Sequence, residues 1–396
     1  MNKRIATSLG AAILSTALAA PAAADNIKLG IIFGFTGPIE SLTPDMASAA
    51  ELAIKEVNAA GGVLGKKVAG VRGDSTCIDA AAASAAAERL ITSDKVNAIV
   101  GADCSGVTTA ILKNVAMAKG IAMISPSATS PALSTIPDNG LFFRTAPSDA
   151  RQGQVLAAVM KEKGVKSAAL TYTNNDYGKG LAESIKTNFE KVGGKITLSA
   201  AHEDGKGDYN AEVGALAAAG GDVLIVAGYL DQGGKGIIQA ALDTGAFSTF
   251  VLPDGMIGDS LPNAIGSDLN GSYGTVPGTD SPGGAKLQDM IKAAGFKAGP
   301  FTPESYDAAA LLMLAMQAAG SSDSAKLKDK VMSVANAPGE KIFPGELAKG
   351  LKILMGGGEI DYVGGSAVEL IGAGESAGNY REILVKGGKN TTARYR

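Results

Sequence analysis

Short apolar runs recur along the chain, each followed by a longer stretch whose apolar positions fall at helical spacing. The first run, IKLGIIF (Ile27–Phe33), reads as a buried strand. TPDMASAAELAIKEVNAAGG then reads as a helix, with Thr43 as its N-cap, Pro44 at its first position and Gly61 to end it. The alternation continues through strand KVAGVR, helix DAAAASAAAERLIT, strand VNAIVG, helix VTTAILKNVAMAKG and strand IAMIS. A second series follows LFFRTAPS. It runs through helix 150–163, strand AALTYT, helix 178–192, strand ITLSAA, helix 210–219, strand DVLIVAG, helix 234–244 and strand TFVLPD. Short apolar strands alternating with helices imply an α/β fold with parallel sheets covered on both faces. The segment from Val96 to Ser125 has the same order of strand, polar loop, helix, strand and polar loop as the segment from Asp222 to Asp254. That echo implies two similarly wound lobes, or only that one βαβ unit looks like another.

In open α/β sheets, ligands bind beyond the carboxyl ends of the strands. The polar residues that follow each strand are therefore the candidates. They are Asp103-Cys104-Ser105, the hydroxyl-rich SPSAT (Ser125–Thr129), Asn174 to Tyr177, Tyr229 to Asp231, and Asp254 in VLPDG. Hydroxyls and free backbone N–H groups in the SPSAT loop can hold an anion, helped by nearby helix N-termini. Ser, Thr and Pro also favour plain turns, and Asp254 can equally serve a turn. If both features face one cleft, an anion site opposite a carboxylate would hold a zwitterion through charge-assisted bonds at each end.

Composition narrows the class. The 372 residues from Asp25 to Arg396 (396 − 24) suggest two domains at about 150 residues each. Lys3 and Arg4, an Ala-rich apolar run and the pattern Ala22-x-Ala24 have the form of a secretory signal peptide over 1–24. An N-terminal anchor is the alternative, although the run is short for a spanning helix. Loss of Lys3 and Arg4 would take the formal charge from −3 to −5. Such a mildly acidic product has no basic stripe for nucleic acid. It is expected to be exported and soluble. Its cysteines are Cys77 and Cys104, and an even pair in an exported chain reads as a disulfide, with two buried free thiols as the alternative.

Other motifs carry less. GESAG (Gly374–Gly378) matches the nucleophile elbow of α/β-hydrolases and would make Ser376 a nucleophile, but the sole histidine, His202, precedes it where that fold requires the histidine to follow. His202 reads as a surface residue, and no metal-ligand set accompanies it. GGVLGKK lacks the spacing and the final Ser or Thr of a phosphate-binding loop. No cofactor is expected, and the chain does not read as an enzyme.

Taken together, IKLGIIFGFTGP, AAELAIKEVNAAGGVLGKKV, DCSG, ISPSATSPALS, NNDYGKGLAE, VLPDG and YREILVKGGK resemble the periplasmic branched-chain amino-acid-binding proteins of ABC importers, the Leu/Ile/Val-binding family. The resemblance spans nearly the whole chain after the leader. It implies the type I periplasmic binding fold, with two doubly wound lobes joined by a three-segment hinge. Lobe 1 would comprise 26–146 plus 275–376, and lobe 2 would comprise 147–274 plus 377–396. It implies a Cys77–Cys104 disulfide and a ligand set of Ser105, Ser127, Thr129, Tyr177, Tyr229 and Asp254. Leu42 falls where relatives present an aromatic or other group to the ligand side chain, and Tyr306 is expected to pack near the hinge. The implied partners are a small amino acid and an ABC permease, with the protein a monomer. The same fold also carries other amino acids, amides, urea and aromatic acids, or serves as a sensor.

Overall fold

The structure, a computed structural model, describes residues 26–396, so the leader expected at 1–24 lies outside the described residues. The strands in chain order are β1 (Ile27–Phe33), β2 (Val68–Asp74), β3 (Ala98–Gly101), β4 (Met123–Ser125), β5 (Phe142–Pro147), β6 (Ser167–Thr173), β7 (Lys195–His202) and β8 (Val223–Ala227). They continue with β9 (Phe250–Leu252), β10 (Tyr273–Pro277), β11 (Glu340–Ile342), β12 (Ile360–Tyr362), β13 (Leu370–Ile371), β14 (Glu375–Ser376), β15 (Tyr380–Lys386) and β16 (Lys389–Tyr395).

One sheet has the order β13-β14-β5-β4-β3-β1-β2 and the other β16-β15-β10-β9-β8-β6-β7. The first five strands and the next five are thus wound identically, as the internal echo suggests. Each lobe reverses direction at one switch point, between β1 and β3 and between β6 and β8. Ligand sites belong in such crevices. The parallel core strands are apolar and buried along their lengths, as β3, β4, β8 and β9 are without exception. The edges depart from the expected parallel pattern: β13, β15 and β16 pair antiparallel.

Every residue of β10 pairs with β15 in the second sheet, so the expected boundary at 275 falls inside a strand and the chain leaves that sheet only after Pro277. The other crossings lie just after Pro147 and between Ser376 and Tyr380. Tyr306, expected near the hinge, lies two residues after Glu304, whose carbonyl accepts from the Thr145 hydroxyl of β5 at 2.8 Å. It is buried in the helix Thr302–Ala319, and its hydroxyl donates to Glu56 of the helix Thr43–Ala59.

Two local readings change. Thr43 is the first residue of its helix rather than its cap, and its hydroxyl donates to the Gly34 carbonyl at 3.0 Å. His202 is not at the surface: it is 2% exposed at the end of β7, with Nδ1 2.8 Å from the Thr171 hydroxyl. Burial lowers its pKa to about 4.

Cys77 and Cys104 form a disulfide, with Cα atoms 5.1 Å apart. It closes a loop of 27 positions beneath the cleft. Replacing both cysteines by alanine is expected to lower the unfolding free energy by up to about 3.5 kcal/mol in the chain-entropy model. Urea denaturation measures this, and an unchanged midpoint would mean that the cross-link contributes nothing to stability.

Candidate functional site

The carboxyl ends of β1, β3 and β4 face those of β6, β8 and β9 across a cleft, and the candidate site is built there. From the first lobe, the strand β3 ends at Gly101 and the chain passes through Asp103 and Cys104 into a helix that starts at Ser105. Asp103 is buried and braces this turn, accepting from the Gly34 N–H at 2.7 Å and the Ser75 hydroxyl at 2.8 Å. After β4, the Ser125 hydroxyl turns back to accept from the Ala128 N–H at 2.9 Å. The Ser127 hydroxyl donates to the Asp103 carbonyl at 3.0 Å, and Ser105 Oγ accepts from the Ser130 N–H at 3.1 Å. The hydroxyl-rich loop is therefore stitched to the Ser105 turn.

From the second lobe, Tyr177 sits in the first turn of the helix Asp176–Lys191, which Asn175 caps. Its ring stacks on Tyr229, with centroids 5.2 Å apart. Asn175 Nδ2 donates to the Tyr229 hydroxyl at 3.3 Å. The Tyr177 hydroxyl donates to Asp254 Oδ1 at 2.7 Å, and the Gly255 N–H donates to the same oxygen at 2.9 Å. Gly255 is required by close approach: a Cβ there would lie 2.6 Å from the Gly228 carbonyl and 2.7 Å from the Tyr177 hydroxyl. Asp254 is 2% exposed, and burial pushes its pKa up to about 6 against the pull of these donors.

A cavity of about 310 Å³, open solvent at its mouth included, lies between these groups. Leu42, Ser105, Ser127, Tyr177, Tyr229 and Asp254 line it, as the sequence reading expects. Thr129 does not line the cavity. Its hydroxyl is buried beside it and has no hydrogen-bond partner among the described residues. A larger open groove of about 1360 Å³ flanks the cleft and shares Leu42. Its remaining lining is mostly polar surface, and it lacks the convergent buried groups that mark a binding site.

Three contributions were not read from the sequence. Phe301, with Ile39 and Leu42, forms the apolar wall. It is buried with φ of 59°, a left-handed conformation that a bulky residue rarely adopts. Asp149 is fully buried, and both its carboxylate oxygens lack a hydrogen-bond partner among the described residues. Burial, then repulsion from Asp254, raises its pKa well above the carboxylate range, while Thr129 and Arg144 pull it down. Gln152 reaches the same region, with its Oε1 also unpartnered. Two carboxylates near one another in a dry site call for a cation.

The lobes touch around this cavity. The Asp231 N–H donates to the Pro38 carbonyl at 3.0 Å, and Asp231 Oδ2 accepts from the Ser41 N–H at 2.9 Å. The Ser130 hydroxyl donates to the Asp176 carbonyl at 3.0 Å. The hydrolase alternative finds no support in this geometry: Ser376 is buried in β14, whereas His202 pairs with Thr171 in the other sheet.

A family model described as periplasmic binding protein matches residues 26–346. The chain belongs to the periplasmic binding protein family. This binding protein is 33% identical over 305 residues to the Leu/Ile/Val-binding protein homolog 1 of Brucella suis, covering 75% of this chain and 80% of that one. It is 31% identical to a leucine-, isoleucine-, valine-, threonine- and alanine-binding protein of Pseudomonas aeruginosa, covering 78% and 82% of the two chains. Among solved structures, a leucine-binding protein from Thermotoga maritima superposes with a TM-score of 0.79 at 22% identity, covering 93% and 98%. A solute-binding protein from Rhodopseudomonas palustris in complex with benzoate gives 0.74 at 20% identity, covering 94% and 96%. These structural likenesses establish the type I fold for this periplasmic binding protein.

Proposed function

We propose that the protein captures an aliphatic, branched-chain L-amino acid between its lobes and delivers it to an ABC permease. The observation that carries this reading is the buried carboxylate of Asp254 across the cavity from the hydroxyls of Ser105 and Ser127, with a second buried acid, Asp149, close to Asp254 and next to Thr129. The acids would hold an α-ammonium and the hydroxyl loop an α-carboxylate. The wall of Ile39, Leu42 and Phe301 would take the side chain. Tyr177 and Tyr229 would close over the ligand, so ligand contacts made by both lobes would favour the closed form. The relatives from Brucella and Pseudomonas support an amino-acid ligand by their names. In this reading the protein acts as an exported monomer, cleaved after Ala24. It performs no catalysis and uses no cofactor.

A simple carboxylic acid such as benzoate brings no charge to neutralise Asp254, so the aromatic-acid reading is disfavoured here. The test compares L-leucine with 4-methylpentanoate, its deaminated analogue, by thermal shift on protein unfolded and refolded to remove cargo. Ligand at a hundred times its dissociation constant should stabilise the fold by ~2.7 kcal/mol. Leucine alone is expected to do so. A shift with the acid alone would remove the ammonium site from the reading.

A further inference from the structure

Arg144 lies in β5 of the first lobe and is 1% exposed, yet it does not line the ligand cavity. Its Nη1 donates to the carbonyls of Ala128 at 3.0 Å and Ser130 at 2.9 Å, on either side of Thr129. The carbonyl between them, that of Thr129, accepts from the Asp149 N–H at 2.8 Å. Three successive carbonyl oxygens of the hydroxyl-rich loop are thus fixed by donors from β5 and the segment that follows it. The other guanidinium nitrogen, Nη2, donates to the Ser134 hydroxyl at 2.7 Å and to Glu375 Oε2 at 2.5 Å. Glu375 belongs to β14, which leads directly into the last crossing between the lobes. The Arg144 N–H also donates to the Gly374 carbonyl at 2.9 Å. One planar guanidinium therefore joins the loop at the cavity to two of the three crossing segments.

We infer that Arg144 is the positioning residue for the carboxylate end of the site, holding the Ala128 and Ser130 carbonyls in place and tying that loop to the last crossing through Glu375. The inference rests on the reading that this loop receives a carboxylate. A carbonyl oxygen turned toward a bound carboxylate would repel it, whereas one held by a guanidinium cannot turn. The planar fork suits this task, because a lysine ammonium is a point charge that cannot span both sides of the site in fixed geometry. Arg144 reaches the carboxylate end of the ligand only through the loop, so its effect on preference should depend on whether the ligand carries a carboxylate.

Calorimetric titration with L-leucine and with L-leucinamide, which keeps the ammonium but lacks the anion, separates this role from general destabilisation. Wild-type protein is expected to prefer leucine. Equal affinity for the two would overturn the carboxylate reading, and this inference with it. With the wild-type preference in place, Arg144→Met should reduce the preference by about tenfold, the equivalent of one well-made hydrogen bond. Arg144→Lys should restore part of it. Glu375→Gln should reduce the preference by about threefold, since the ion pair becomes a weaker bond from a charged donor to a neutral acceptor. If the methionine variant does not fold, the lysine and glutamine variants carry the same comparison. Variants that weaken both ligands equally, or that keep the wild-type ratio, would overturn the inference while leaving the carboxylate site standing.

Discussion

Asp254→Asn is expected to weaken L-leucine binding by about 2–5 kcal/mol, the range for removing one partner of a buried, hydrogen-bonded charge pair. The substitution keeps the size of the side chain. Its carbonyl can still accept from the Tyr177 hydroxyl and the Gly255 N–H, which hold Asp254 Oδ1 at 2.7 and 2.9 Å. What is lost is the negative charge. A buried charge without a counter-ion costs the ligand-free fold free energy, so the variant should melt no lower than wild type. Affinity and folding stability therefore move independently, and calorimetric titration together with a melting curve reads both. Wild-type affinity in this variant would take Asp254 out of the site. A loss of affinity accompanied by a large drop in melting temperature would instead assign it a structural role.

Affinity for leucine should fall as the medium is acidified below about pH 6. In the ligand-free protein, burial pushes Asp254 up to about 6. A bound α-ammonium favours the charged carboxylate, so the pKa in the complex is lower. Between those two values, the free site carries a proton that binding must expel. Each pH unit of descent through that window then costs about tenfold in affinity, or ~1.4 kcal/mol. Above pH 6 the carboxylate is already ionised, and this contribution is flat. Asp149, whose pKa is also raised by burial, adds to the slope where the two acids titrate together. Asp254→Asn should remove its share of the slope. An affinity that is level from pH 7 to pH 4 in the wild-type protein would show that no ionisation in the site is linked to binding.

The alternating core was legible because its strands are short apolar runs buried on both faces and its helices carry clear caps and breakers. Both lobes could be traced in this way from Ile27 to Leu252. The C-terminal edges could not. In β16, KNTTARY has no apolar period, since it is an exposed edge strand, and β13 and β14 are two residues each. The acid at 254 and the hydroxyls at 105 and 127 stood out by following strands. Asp149 did not, because an acid just after a serine at the start of a helix is ordinary capping chemistry, and Ser148 is indeed the N-cap. Phe301 precedes a helix in a loop rich in Gly and Pro, and only the fold brings it to the cavity. Arg144 is one charge in the run LFFRTAPS. Its meaning depends on Ala128, Ser130 and Glu375, and Glu375 lies 231 positions away. His202 misled because its surroundings, HEDGKGD, are polar in sequence, although the ring itself turns inward.

The contacts around Asp231 have a consequence for transport economy. Its N–H and carboxylate bind Pro38 and Ser41 across the cleft with no ligand atom involved. Any such contact stabilises the shut form whether or not cargo is inside. It slows escape of captured solute, and it also raises the share of empty receptors that look loaded. For a receptor that signals occupancy to a permease by its shape, those empty copies would compete for docking and would drive unproductive turnover. The strength of the Asp231 contacts thus sets a balance between retention of cargo and fidelity of the signal.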